Sequence, residues 1–107
     1  MTESEEKLIR TELRSFLDEA MRLTAMPAKR KRQLLGLYLI ADRLPADGEW
    51  TERELNEALL ALHTFGDPAT IRRTLIDLSV LARDAYGRRY TVKEKPCLEE
   101  FLRRGLN

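Results

Sequence analysis

The stretch from Thr51 to Val92 decides the fold, and it reads TERELNEALLALHTFGDPATIRRTLIDLSVLARDAYGRRYTV. Thr51 stands three residues before Glu54, a spacing at which each side chain accepts a hydrogen bond from the other residue's backbone N–H at a helix start. The sequence therefore predicts a helix that begins after Thr51. Its inward face consists of apolar residues at intervals of three and four, namely Leu55, Ala58, Leu59 and Leu62.

A second helix is predicted shortly after the first. The run from His63 to Gly66 breaks the apolar pattern, and Asp67-Pro68 restarts it. Aspartate is a favourable cap, and proline is tolerated in the first turn because its missing N–H costs nothing there. The residues predicted to point inward on this helix are Ile71, Leu75 and Leu78.

The rest of the stretch predicts a β-hairpin. Leu81–Asp84 and Arg89–Val92 have the composition of strands, and Ala85–Arg88 has that of a turn. Helix, turn, helix and hairpin is the order of a winged helix-turn-helix, provided that another helix precedes them. Glu49-Trp50 is predicted to add a short third strand.

Two helices are predicted before this stretch. Residues 4–23 carry apolar residues at intervals of three and four, which is typical of an amphipathic helix of about five turns. Its apolar stripe needs a partner, either on its own domain or on a second copy of the chain. The next helix is predicted from Met26-Pro27 to Leu44, with Pro27 in the first helical position. Because it is apolar on two sides, we expect it to lie between the N-terminal helix and the helix-turn-helix pair.

A last short helix is predicted from Cys97 to Arg104, where it caps the core or a dimer interface. The sequence thus predicts a mainly α-helical fold with a small β-hairpin: a winged helix-turn-helix with an extra N-terminal helix and a short C-terminal helix. We divide the chain into an N-terminal amphipathic helix at residues 1–25, a winged-helix domain at residues 26–92 and a C-terminal helical cap at residues 93–107.

Length and composition restrict the class of protein. A chain of 107 residues with 43% hydrophobic and 35% charged residues is typical of one globular domain with a modest core. No apolar run approaches the roughly 18 residues that a membrane span needs, and the start of the chain is acidic where a secretion signal would be basic. We therefore expect a cytoplasmic protein that does not enter a membrane. The single cysteine, Cys97, cannot form an internal disulfide.

Charge is segregated along the chain, although the net charge is only +1. Residues 24–44 carry a net charge of +4 and residues 67–92 one of +2, whereas residues 1–23 carry −2 and residues 45–66 carry −4. A chain with such blocks can present a basic face to one partner and an acidic face to another.

Four consecutive cations lie in the first turns of the second predicted helix. A helix N-terminus disfavours cations by about 0.3–1 kcal/mol each, so some other group should offset that cost. Phosphate oxygens would do so, and so would acidic side chains of the chain itself. The four residues are Lys29, Arg30, Lys31 and Arg32.

The helix after Asp67 is the element that a winged helix places in the major groove. Arginine suits guanine and phosphate, and threonine can contact either a base or a phosphate. Arg73 and Asp77 are four residues apart, however, and could pair with each other instead. The nucleic-acid-binding candidates in this part of the chain are Thr70, Arg72 and Arg73 on the helix and Arg88 and Arg89 on the hairpin.

Carboxylates at the start of the preceding helix argue against nucleic acid. In most helix-turn-helix complexes that end of the helix faces the DNA backbone, and a carboxylate there repels phosphate. The residues concerned are Glu52, Glu54 and Glu57. The alternative function is therefore a non-catalytic protein-protein interaction module of winged-helix fold that binds a partner protein and no nucleic acid.

No constellation in the sequence predicts catalysis. The single histidine, His63, follows an apolar helical stripe and is predicted to cap that helix or lie half-buried rather than to act as a base. No second histidine or cysteine stands at metal-ligand spacing, and no glycine-rich phosphate loop is present. Cys97 has no local basic activator apart from Lys95. We predict no enzyme, no metal and no cofactor.

A set of residues between Tyr38 and Tyr90 forms a distinctive pattern, namely Tyr38, Trp50–Asn56, His63, Asp67–Asp77, Leu81, Arg83, Gly87 and Tyr90. This pattern resembles a bacterial family known only as a domain of unknown function, number twenty eighty-seven. The resemblance covers roughly residues 27–92, and Asp67–Asp77 is its specific part. The chain departs from the family pattern at Ser79-Val80, where Tyr-Gly is expected, and at Ala82, where an acidic residue is usual.

The resemblance implies a transcription-linked module of winged-helix type, because members of the family occur alone or behind helix-turn-helix regulators. The same signature also has a structural explanation, in which a polar network fixes the hairpin to the second helix. In that case the signature is no evidence of DNA binding. The residues of that network would be Arg72, Arg73, Asp77 and Arg83. The function predicted first is a small bacterial transcription regulator that binds double-stranded DNA. We expect it to bind as a homodimer, for which the N-terminal helix is a candidate interface.

Overall fold

The computed structural model describes residues 1–107 and contains five α-helices and one three-stranded sheet. In chain order the elements are α1 (Glu3–Glu12), α2 (Arg30–Asp42), β1 (Glu49–Trp50), α3 (Glu52–Leu60), α4 (Pro68–Asp77), β2 (Leu81–Arg83), β3 (Tyr90–Val92) and α5 (Leu98–Leu106). A short 3-10 turn, Arg14–Phe16, follows α1. The fold is mainly helical with a small antiparallel sheet, as the sequence predicts.

Helix α2 forms the centre of the molecule. Every residue from Leu34 to Ala41 is buried, so the helix is enclosed on all sides, as its two apolar faces predict. Helices α1, α4 and α5 all pack against it. Helix α5 approaches closely at Gly105, where an added Cβ atom would overlap a methyl carbon of Leu34. Glycine permits this approach because it has no side chain.

The helix-turn-helix pair begins where the sequence places its caps. Thr51 and Glu54 form a complete capping box at α3, in which the Thr51 N–H donates to Glu54 Oε1 at 2.8 Å. At the start of α4 the Asp67 carboxylate accepts from the Thr70 N–H at 3.2 Å. Hydrogen bonding with Thr70 holds the pKa of Asp67 below its ordinary value.

The predicted hairpin and third strand are both present. The strand order is β1-β3-β2 with antiparallel pairing, so that Tyr90 lies opposite Trp50 on one side and Arg83 on the other. Gly87, in the connection between β2 and β3, has a φ of 68°, a conformation that glycine adopts without strain. Helices α2, α3 and α4 followed by this hairpin give the element order of a winged helix-turn-helix. We call the hairpin at residues 81–92 the wing.

The N-terminal helix is shorter than the predicted span of residues 4–23. Helix α1 ends at Glu12, and the chain then turns back on itself. In that turn the Asp18 carboxylate accepts from the backbone N–H groups of Ala20 and Arg22 at 3.0 and 2.8 Å. Such local side-chain hydrogen bonds compete with helical ones, and for this reason the prediction of five helical turns is wrong.

Helix α2 begins at Arg30, later than the predicted start at Pro27. Leu23 exchanges backbone hydrogen bonds with residues 62–64, which ties the preceding segment to the connection between α3 and α4. Pro27 therefore lies buried in the approach to the helix and not within it. The four cations still mark the helix start, with Lys29 as the N-cap residue.

Both terminal helices pack on the body of the same chain. Ile9 of α1 and Leu13, which follows the helix, are fully buried, so the apolar stripe of the N-terminal helix is covered within its own chain. Phe101 of α5 is buried beside Tyr38, with ring centroids 5.4 Å apart, and α5 thereby caps the core. None of the helices combines the length and the apolar character that a membrane crossing requires.

Candidate nucleic-acid interface

The outward face of α4 carries the predicted groove residues. Thr70 and Arg73 are exposed, because Ile71 and Leu75 direct the opposite face of the helix into the core. Arg73 forms no ion pair, and the pairing with Asp77 that their spacing allows is absent. The Arg73 guanidinium is therefore free to contact a partner.

Arg72, the neighbouring candidate, is turned into the molecule. Only 8% of this residue is exposed. Its Nη1 donates to Asn56 Oδ1, its Nη2 lies 3.5 Å from Glu52 Oε1, and its guanidinium carbon lies 5.8 Å from the centre of the Tyr90 ring. A buried charge requires partners of this kind. Arg72 thus joins α3, α4 and β3 and is not available as a phosphate contact.

Glu52 connects the same group of residues to the wing. The Tyr90 hydroxyl donates to Glu52 Oε1 at 2.9 Å, while the rest of Tyr90 is buried. We call Glu52, Asn56, Arg72 and Tyr90 the Arg72 network. It fixes the wing to the helices, as the structural explanation of the family signature proposes for Arg72. The other three residues in that explanation are exposed, namely Arg73, Asp77 and Arg83.

The sequence contains a signal for this network that the prediction did not use. Glu52 and Asn56 are four residues apart on α3, so they lie on the same helix face. Two polar side chains at this spacing, next to a helix with adjacent arginines, indicate a polar contact between the two helices. Tyr90 could not be added from the sequence, because its contact depends on how the wing folds back.

The tip of the wing presents exposed side chains on an ordered turn. Tyr86 is 84% exposed, and Arg88 is exposed and forms no ion pair. The Asp84 carboxylate accepts from the Arg88 N–H at 2.7 Å and holds the turn in place. This hydrogen bond is the main reason why the pKa of Asp84 lies below its ordinary value.

Arg89 differs from Arg88, because acidic residues lie beside it. Its Nε lies 3.5 Å from Glu49 Oε1. The pKa of Glu54 is lowered mainly by hydrogen bonds from Thr51 and to a smaller extent by the charge of Arg89. We call Glu49, Glu52 and Glu54 the acidic strip. It borders the wing, and two of its members pair with arginines, Glu52 with Arg72 and Glu49 with Arg89.

The four cations at the start of α2 are divided between internal and free positions. Arg30 Nε donates to the Gly105 carbonyl at 3.3 Å, and Arg32 Nε lies 3.7 Å from Glu12 Oε2. Lys29 and Lys31 are exposed, and their side chains have no hydrogen-bond or ion-pair partner. The chain itself therefore offsets the charge of the two arginines, whereas the two lysines are free to contact an external anion.

His63 lies inside the turn between α3 and α4. It is almost fully buried, its Nδ1 lies 2.7 Å from the Leu59 carbonyl, and its Nε2 accepts from the Asp67 N–H at 3.0 Å. An imidazole with a proton on Nδ1 satisfies both contacts. His63 thus caps the end of α3 and holds the start of α4, as the capping prediction states, and neither nitrogen faces a cleft.

The sequence profile of one bacterial family matches residues 22–92, a span that includes α2, α3, α4 and the wing. No curated protein and no solved structure gives a significant match to the chain. The match begins slightly before the resemblance seen at residues 27–92 and covers more than half of the chain. The chain belongs to the family described as "Uncharacterized protein conserved in bacteria (DUF2087)".

Proposed function

We propose that the chain is a small bacterial transcription regulator that binds double-stranded DNA, with α4 in the major groove and the wing on the flanking backbone. The observation that carries the proposal is the outward face of α4, where Thr70 and Arg73 are exposed and Arg73 has no ionic partner. Arginine on the groove-facing side of the second helix is a common specific contact to guanine.

The exposed cations divide into two roles under this proposal. Arg73 and Thr70 contact base edges, whereas Arg88 on the wing and Lys29 and Lys31 at the start of α2 contact phosphates. Four of the predicted contacts are left out of this assignment because the chain itself supplies each of them with a partner, namely Arg30, Arg32, Arg72 and Arg89. Three neutralised phosphates give a slope of about −3 for log affinity against log salt concentration.

A fluorescence-anisotropy titration with labelled duplex at several salt concentrations tests the proposal. Changing Arg73 to Ala should cost about 1–3 kcal/mol on a preferred sequence. The control is Arg10→Ala, which removes the same charge from an exposed position on α1 and should leave DNA affinity almost unchanged. Salt-insensitive binding, or equal losses in the two variants, would count against the groove contact.

The acidic strip favours a second candidate, a module that binds a basic partner protein. Its three glutamates lie beside the wing, where they repel phosphate and attract cations. Glu57, further along α3, is exposed and pairs only with Arg53, so Glu57→Gln separates the candidates. The substitution should raise DNA affinity if α3 faces phosphate. If this surface serves a protein instead, no duplex binding should be seen at low salt with or without the substitution.

We further propose that the protein is cytoplasmic and that it has neither catalytic activity nor a cofactor. On DNA it is a homodimer. Since α1 buries its apolar stripe within its own chain, a dimer through this helix would use its outer face, on which Leu8 is 37% exposed. Light scattering after size exclusion, with and without Leu8→Glu, measures whether such a dimer forms.

A further inference from the structure

A cavity of about 310 Å³ lies at the base of the wing, between α2, α5 and the segment that leads into α5. Its walls are mainly apolar and are formed by Tyr38, Ala41, Val80, Pro96 and Phe101. Cavities of this size with apolar walls and a few polar groups are typical of small-molecule sites. The depressions on the outer side of α1, in contrast, are lined by charged and polar side chains.

The polar groups at the cavity favour an anionic ligand. Lys95 Nζ donates to the Asp42 carbonyl at 2.9 Å, which leaves two of its three N–H groups free. The Asp42 carboxylate itself lies 3.1 Å from the amino group of Met1. The Tyr38 hydroxyl is also occupied, because it donates to Glu5 Oε1 at 3.2 Å. Lys95 is therefore the lining side chain with charged donors to spare, beside the Met1 amino group, which also lines the cavity and also keeps free N–H groups.

We propose that this cavity binds a small monocarboxylate with an aromatic or branched apolar body, and that Lys95 holds the carboxylate. The apolar walls receive the body of the ligand, and burial of that surface supplies the attraction. A charge-assisted hydrogen bond from the Lys95 ammonium fixes its orientation. This site is independent of the proposed DNA contact, since none of its lining residues belongs to the outward face of α4 or to the wing tip.

Two residues of the cavity wall, Val80 and Cys97, can report whether a ligand is bound. Val80 directly precedes β2, and its carbonyl accepts from the Lys93 N–H at 2.8 Å, so a ligand against Val80 lies next to the base of the wing. Cys97 lines the cavity, is exposed, and is the only cysteine of the chain. Alkylation of the chain by a maleimide therefore reports on this one position in the cavity wall.

The experiment measures alkylation of the full chain by N-ethylmaleimide in the presence of 3-phenylpropionate, with its neutral amide as the matched probe. The acid should slow alkylation in a saturable manner with a dissociation constant in the millimolar range, and the amide should protect about tenfold less well because it lacks the charge. In an NMR titration of the labelled chain with the same acid, the amide resonances of Val80 and Phe101 should shift.

Lys95→Met tests the role of the lysine, and Lys93→Met is the control, because Lys93 is exposed and does not line the cavity. The first substitution should weaken protection by the acid about tenfold, and the second should not. Absence of saturable protection in the wild-type protein overturns the proposal. Equal protection by acid and amide overturns the assignment to Lys95, even if Lys95→Met does not fold. Neither result depends on whether the protein binds DNA.

Discussion

Two adjacent arginines of α4 have opposite roles at the scale of single residues. Arg72 is paired inside the Arg72 network, whereas Arg73 is exposed. Arg72→Ala should lower the free energy of unfolding by about 1–3 kcal/mol, because Asn56 and Glu52 lose a partner. Arg73→Ala should change it by less than about 0.5 kcal/mol. Urea unfolding of both variants measures the difference, and equal stabilities would contradict the network.

Glu5 is a second residue whose carboxylate holds several parts of the chain. Its oxygens accept from the Thr2 N–H, the Tyr38 hydroxyl and the Leu98 N–H at 2.9, 3.2 and 3.0 Å. These hydrogen bonds, first that from the Thr2 backbone, lower the pKa of Glu5. Burial, followed by the charge of Glu5, raises the pKa of Tyr38 to about 12.

The lowered pKa of Glu5 fixes the sign of a pH dependence. The carboxylate stabilises the folded state above the ordinary glutamate pKa, and this stabilisation is lost as the pH falls through the lower folded-state value. Glu5→Gln should therefore cost about 1–2 kcal/mol at neutral pH, and the gap to the wild type should close in acid. Urea unfolding between about pH 7 and pH 3 measures this. A gap that is constant with pH would mean that the charge of Glu5 contributes nothing.

At the scale of elements, His63 determines how α3 and α4 are joined. Its two ring nitrogens contact Leu59 and Asp67 on either side of the turn. His63→Ala should cost about 2–3 kcal/mol, since two hydrogen bonds and buried ring contacts are lost. Hydrogen exchange at the Asp67 amide should accelerate more than exchange in α5. Thr64→Ala, at the exposed neighbouring position, is the control. Unchanged protection of Asp67 would show that the turn does not need the imidazole.

The sequence predicts those elements whose signals are local. The capping box at Thr51, the Asp67-Pro68 start and the turn at Gly87 all depend on neighbouring residues, and the structure contains each of them. The predictions for the end of α1 and the start of α2 are wrong. The hydrogen bonds of the Asp18 turn replace helical ones after α1, and the pairing of Leu23 with residues 62–64 holds the segment before α2 out of the helix. The second of these joins parts of the chain that are distant in sequence.

The candidate site was predictable in a similar measure. Exposure of Thr70 and Arg73 follows from the helical period of α4, because Ile71, Leu75 and Leu78 are predicted to point inward, and both residues are exposed in the structure. The inward turn of Arg72 does not follow from the period alone, because it depends on Tyr90 folding back over α4. The sequence identifies Glu52 and Glu54 of the acidic strip as unfavourable for DNA. The contact of Glu52 with Tyr90 of the wing could be found only in three dimensions.

At the scale of the whole molecule, the fold depends on how closely α5 packs against α2. Gly105→Ala should cost about 1–3 kcal/mol, because the new Cβ overlaps the side chain of Leu34. In a Leu34→Val background the overlapping methyl carbons are absent, so the additional cost of Gly105→Ala should largely disappear. A double-mutant cycle by thermal unfolding measures this coupling. Additive losses would contradict the close approach.

The proposed function depends on the molecule as a whole, because DNA must contact α4 and the wing at the same time. The most direct measurement is a two-dimensional amide NMR titration of the labelled chain with duplex DNA at low salt. The proposal predicts shifts at Thr70, Arg73 and Arg88 that reverse when salt is added, with α5 unaffected. Absence of shifts at low salt, or shifts that avoid α4, would contradict it.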